Sequence, residues 1–200
     1  MDIRIKRAMM AAGIATAMAL PLSSQASDGT ITFTGAVTAN TCVVNVNASG
    51  AASTTVALPI VSQSALLTGA GKTTAAGTFF NVAITSCTAT TADIPGTPAH
   101  TPTTVQIYFE AGPNVDQATG GLINSTAGGS SNVEVNLYNA SSNVVGTQIM
   151  PGVATNQPTA QTITALGTQW FYAGYSTAGF GIAATAGTVN TSVTYSLVYQ

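Results

Sequence analysis

From Asp28 to Cys42 the chain alternates with a period of two. Gly29, Ile31, Phe33, Gly35 and Val37 fall on one side, and Thr30, Thr32, Thr34, Ala36 and Thr38 on the other. One apolar side and one small polar side is how a strand with one buried face is written. The branched and aromatic residues on it favour a pleated surface. The same period recurs in Thr78–Cys87 (Phe80, Val82, Ile84), in Thr104–Glu110 (Val105, Ile107, Phe109) and in Val133, Val135 and Leu137. It returns in Val189–Tyr199, with Val193, Tyr195, Leu197 and Tyr199 on one face. Thr55–Pro59 is a short extended piece that Pro59 keeps to an edge or an end. Gly120–Gly129 is turn-rich around Leu122 and Ile123, and Asn139–Asn143 suits a hairpin turn. No segment of useful length after residue 26 carries a helical period. Many short alternating strands between Gly, Pro and Asn turns predict an all-β sandwich.

Residues 1–26 have the form of a secretory signal. Arg4, Lys6 and Arg7 precede the apolar run Ala8–Leu20, and Ser24 and Ala26 place small residues at the −3 and −1 positions of a cleavage site. The run is shorter than the roughly 20 residues a spanning helix needs. The remaining Ser27–Gln200 suits one domain with its own core. It keeps Lys72 as its one basic residue, against Asp28, Asp93, Glu110, Asp116 and Glu134. Nucleic-acid binding and a polybasic membrane patch both require clustered cations and are excluded on that ground. Cys42 and Cys87 are the two cysteines. An even count in an exported chain suggests one disulfide, with two buried free thiols as the alternative. Closing the loop from Cys42 to Cys87, 87 − 42 + 1 = 46 residues, is worth about 4 kcal/mol in the chain-entropy model.

Chemistry-bearing patterns are sparse. Ala70–Thr74 around Lys72 lacks the earlier glycine of a phosphate loop, since that position is Leu66. His100 lies in a loop with three prolines, Pro95, Pro98 and Pro102, and has no neighbouring catalytic partner. Glu110 and Asp116 are the one carboxylate pair available for glycoside cleavage, and nothing around them raises either above a surface acid. Trp170, Phe171, Tyr172 and Tyr175 suit either a carbohydrate platform or, the better reading, core and sheet surface. Asn124 and Asn190 begin Asn-x-Ser/Thr triplets, which carry little information in a chain so rich in these residues. No cofactor, metal or enzymatic activity is expected.

Three stretches together carry a family resemblance. Gly29–Gly35 followed by Cys42, Phe80–Cys87, and Ala186–Gly187 with the terminal Val193–Gln200 resemble the corresponding segments of type 1 fimbrial major subunits. The Pro95–Pro102 loop and Thr147–Gln161 carry no such likeness. The resemblance implies the chaperone–usher pilin fold, an immunoglobulin-like sandwich missing its last strand. It implies a structural fimbrial subunit on the cell surface that supports attachment and polymerises head to tail with identical or related subunits. A periplasmic chaperone and an outer-membrane usher are the implied partners. Residues 27–34 would be the donor strand, with Ile31 and Phe33 as anchors and Gly29 over a shallow part of the groove, and residues 35–200 the pilin domain. Val193, Tyr195, Leu197 and Tyr199 would line part of the acceptor groove, and Cys42 and Cys87 would tie the first two strands. The competing expectation is a self-contained secreted sandwich that binds carbohydrate or protein.

Overall fold

The computed structural model describes residue 33 and residues 41–66, 76–88, 101–179 and 182–200. The chain divides into two units, Met1–Thr34 and Gly35–Gln200. In the first, Phe33 is the one described residue and is exposed. Gly29, Ile31, Lys72 and His100 lie outside the described residues, as does the alternating stretch up to Thr41 apart from Phe33.

The described strands of the second unit are β1 (Thr41–Val46), β2 (Gly77–Thr88), β3 (Thr104–Phe109), β4 (Leu122–Ile123), β5 (Val133–Ser141), β6 (Val144–Ile149), β7 (Gln161–Thr162), β8 (Thr168–Thr177) and β9 (Tyr195–Tyr199). Every pairing among them is antiparallel. One sheet runs β1-β2-β8-β5-β4, with β6 folded back on β5, and the other runs β7-β3-β9. Their apolar faces share one core. Phe171 of the larger sheet meets Phe109 of the smaller edge-on at 5.4 Å and lies 5.4 Å from Phe80. Tilted and edge-on ring pairs of this kind add stability beyond the area they bury.

The two-residue period converts directly into burial. Phe80, Val82 and Ile84 of β2, Val105, Ile107 and Phe109 of β3, and Phe171, Ala173 and Tyr175 of β8 all point inward. β5 departs from it: Val133 to Leu137 are buried without interruption. The far face of β5 is covered by a turn, where Thr119 Oγ1 donates to Glu134 Oε2 at 2.9 Å. A side chain on Gly121 would strike Glu134 Oε2 and Asn136 Oδ1, so glycine is what lets this turn lie on the strand.

Three boundaries differ from the sequence expectation. β5 continues to Ser141, and the hairpin turns at Ser142–Asn143 with Ser142 in the left-handed region (φ 40°). Leu122–Ile123, inside the turn-rich segment, adds to β5 as β4. In Val189–Tyr199 the ladder begins only at Tyr195, for a reason given below. Cys42 and Cys87 stand opposite each other in the β1–β2 ladder and are joined by a disulfide.

Candidate functional site

Between residues 52–58 and 189–195 the sandwich is open. The cleft has a volume of about 680 Å³. Its floor is made by core side chains of the larger sheet: Phe80 and Val82 from β2, Val135 and Leu137 from β5, Ala173 and Tyr175 from β8. Volume alone would suit a small molecule. The banks argue otherwise, because both present unpaired backbone.

On the C-terminal bank, the even-numbered residues use their backbone groups inward. The Thr194 carbonyl accepts from Glu110 N–H at 2.9 Å, the Asn190 carbonyl from Ser125 N–H at 2.9 Å, and the Thr188 carbonyl from Ser130 N–H at 2.9 Å. Gln200 and Thr104 exchange both backbone bonds, which sets the same parity along β9. The odd-numbered residues therefore turn their N–H and C=O groups to the free edge, since both groups of a strand residue face the same neighbour. Val189, Thr191 and Val193 make no backbone hydrogen bond among the described residues. On the opposite bank, residues 53–61 make no backbone–backbone hydrogen bond among the described residues, and Val56 and Leu58 pack against the core. Two open ladder edges flank an apolar floor. Such edges are a template for one more strand.

The C-terminal bank is straight without being a sheet strand because one side chain holds it. Asn124 Nδ2 donates to the carbonyls of Thr188 (2.9 Å) and Ser130 (2.8 Å), and Asn124 Oδ1 accepts from the N–H groups of Asn190 (2.9 Å) and Thr126 (3.2 Å). The amide stands where a neighbouring strand would, which explains why the ladder begins only at Tyr195. Gly187 is required beside it, since a side chain there would strike the Ser130 backbone nitrogen.

Two tyrosines of β9 reach across the sandwich. The Tyr195 hydroxyl donates to the Ala52 carbonyl at 2.6 Å, and the Tyr199 hydroxyl lies near the Cys42 backbone of β1. Burial raises the pKa of both above the ordinary tyrosine value, opposed at Tyr199 by the Cys42 backbone. Val193 and Tyr195 line the cleft; Leu197 and Tyr199 are half-buried on the same strand face, past its end. The acids act structurally: Glu110 Oε1 accepts from Ser196 Oγ at 2.5 Å, and Asp116 Oδ1 accepts from Ala118 N–H at 2.9 Å. The aromatic run is divided by the strand period. Phe171 and Tyr175 enter the core, while Tyr172 lies on the outer face, 4.8 Å from Phe79 and 6.2 Å from Tyr138 between ring centroids.

A sandwich in which, among the described residues, one strand position is unfilled is an incomplete immunoglobulin-like fold. The family model described as type-1 fimbrial protein, A, matches residues 58–200. The major fimbrial subunit SMF-1 of Stenotrophomonas maltophilia (strain K279a) is 34% identical over 196 residues, spanning 91% of this chain and 98% of that protein. The F17 fimbrial protein of Escherichia coli is 34% identical over 183 residues, spanning 88% of this chain and 89% of that protein. Among solved structures, a chain of a chaperone–usher pilus aligns with a TM-score of 0.48 at 20% identity, covering 90% of this chain and 100% of its own length. The P pilus rod subunit PapA aligns with a TM-score of 0.46 at 19% identity, covering 86% of this chain and 100% of its own. The chain belongs to the type-1 fimbrial protein family and is a structural subunit of a fimbria.

Proposed function

We propose that this subunit polymerises by donor-strand exchange, with residues 27–34 of one copy occupying the cleft of the next. The observation that carries this reading is the pair of backbone edges, 53–58 and 189–193, that face the cleft without a ladder partner among the described residues, the Ala57 carbonyl alone being taken by Thr78 Oγ1, on either side of an apolar floor. A segment with alternating apolar side chains satisfies both edges and the floor together. Ile31 and Phe33 supply that alternation within 27–34, and Gly29 extends the same face without bulk. Cleft and extension are different surfaces, so the contact is heterologous and does not close, and a filament follows. In this reading residues 1–26 are a cleaved signal and residues 35–200 the pilin domain. A periplasmic chaperone covers the cleft during export and an outer-membrane usher passes the subunit to the surface. The subunit's role is structural, without catalysis.

The test is to replace Phe33 by Asp, and separately Ile31 by Asp, and to count surface fibres by electron microscopy. Each variant is expected to be exported and to form none, because an unpaired charge on the donor face would have to be desolvated. Normal fibres from Phe33→Asp would overturn the reading and favour a self-contained secreted sandwich.

A further inference from the structure

The free edge of the C-terminal bank is longer than the cleft. Its outward-facing positions run from Val189 to Tyr199, but the open part ends at Tyr195. There the Tyr195 side chain crosses the gap to the Ala52 carbonyl, and beyond it Leu197 and Tyr199 lie outside the cleft lining. We propose that Tyr195 sets how long a donor strand the cleft admits, as a latch between the open stretch 189–193 and the closed stretch 197–199. This rests on the donor-strand reading above.

The geometry supports it from both sides of the gap. The Tyr195 ring is anchored from below by Phe109, 6.3 Å away between centroids, so it approaches Ala52 from the core and lies across the line an added strand would follow. Ala52 ends the Ser49–Ala52 turn, in which Ser49 Oγ donates to Ala51 O and Val46 N–H to Ala51 O at 2.9 Å. The residue before the receiving carbonyl is therefore fixed by the turn, and the Ala52 carbonyl itself accepts from Tyr195. From Val189 to Val193 no side-chain hydrogen bond joins the banks among the described residues. A strand of about five or six residues seats on the open stretch with the latch closed. A strand that follows the edge to Tyr199 has to break the Tyr195–Ala52 bond first. Losing one neutral hydrogen bond before insertion corresponds to a three- to tenfold slower association.

The experiment compares the full mature chain, residues 27–200 with its disulfide intact, with its Tyr195→Phe variant. Phe keeps the ring on Phe109 and removes only the hydroxyl. Each protein is diluted from denaturant at low concentration into two synthetic peptides of its own sequence, residues 29–34 and residues 27–38. Uptake is followed by native mass spectrometry and by Trp170 fluorescence. The variant is expected to take up the longer peptide about three- to tenfold faster than the wild type and the shorter one at an unchanged rate. Equal rates for wild type and variant with both peptides would overturn the latch while leaving the donor reading standing, as would equal acceleration of both. Uptake of neither peptide by either protein would overturn the donor reading and the latch with it. Circular dichroism of the peptide-bound variant, matching that of the wild type, separates a lost hydroxyl from a lost fold.

Discussion

Gln157 pairs with Phe109 as a neighbouring strand would. Phe109 N–H donates to Gln157 Oε1 at 2.8 Å, and Gln157 Nε2 donates back to the Phe109 carbonyl at 3.2 Å. The same nitrogen also reaches the carbonyls of Met150 (3.1 Å) and Val153 (3.3 Å). The short β7 covers only Thr104 and Val105, so this amide completes the outer edge of β3 where the ladder stops. Gln157→Ala leaves the Phe109 N–H without its partner. The expected loss is about 1–3 kcal/mol of unfolding free energy, read as a lower urea midpoint with unchanged slope. Gln157→Glu keeps the acceptor but sets a carboxylate oxygen against the carbonyls of Phe109, Met150 and Val153, and should cost at least as much as alanine. A midpoint unmoved by Gln157→Ala would mean that water replaces the amide at no cost.

The cysteine bridge joins two residues already paired across β1 and β2, so it adds little new contact in the folded state. Its effect lies mainly in the unfolded chain, where it closes a loop of sequence separation 45. Replacing both cysteines by serine is expected to cost about 2–5 kcal/mol. Complete reduction of the folded protein should give the same shift in denaturation midpoint. A double serine variant as stable as the wild type would place the stabilisation elsewhere.

What could be read from the chain, and what could not, follows from how far apart the partners lie. Phe80, Val82 and Ile84, or Val105, Ile107 and Phe109, announce themselves because neighbours in sequence alternate in burial. Asn124 and Gln157 do not. The backbone groups they hold lie up to 66 and 48 residues away, and in a chain full of Asn, Gln, Ser and Thr neither stands out. The uninterrupted burial of β5 depends on the Thr119–Gly121 turn lying on its far face, which no period within β5 can record. Likewise Thr55–Pro59 and Val189–Val193 are legible as extended pieces. That their facing edges stay unpaired is a property of topology: nothing local in Val56 or Val193 distinguishes an empty neighbour from a filled one.

Alkaline pH should loosen the cleft margin. Burial raises the pKa of Tyr195, Tyr172 and Tyr175, and of Tyr199 against the opposing Cys42 backbone; beside Tyr172, Tyr138 adds to the rise. Folded values above the ordinary 10.0 mean that the fold favours the neutral phenol. That contribution is complete below about pH 10 and is lost as pH rises through the folded values, because the unfolded chain then binds fewer protons than the folded one. Stability is therefore expected to fall with rising pH in that window. Tyr195→Phe should flatten the fall, since it removes one of the titrating groups. Urea midpoints measured from pH 8 to 11.5 check this; identical pH slopes for wild type and Tyr195→Phe would count against it.

The two surfaces of a head-to-tail junction can be disabled separately. Val193 lines the cleft between the free edges, and its side chain is only partly covered by the core. Val193→Asp places a charge where the donor's apolar face would lie, which blocks acceptance and leaves the chain's own extension untouched. Phe33→Asp does the converse: it disables the donor and leaves the cleft intact. Each variant alone should give no fibres. Refolded together from denaturant, where no chaperone has to occupy the altered cleft, they can form one junction, with the extension of the Val193→Asp chain in the cleft of the Phe33→Asp chain. The resulting pair ends in a disabled cleft on one side and a disabled donor on the other, so growth stops at two subunits. Native mass spectrometry of the refolded mixture should therefore show a heterodimer of the two variant masses and no longer species. Fibres from the mixture, or from Val193→Asp alone, would show that this cleft does not accept the neighbouring strand.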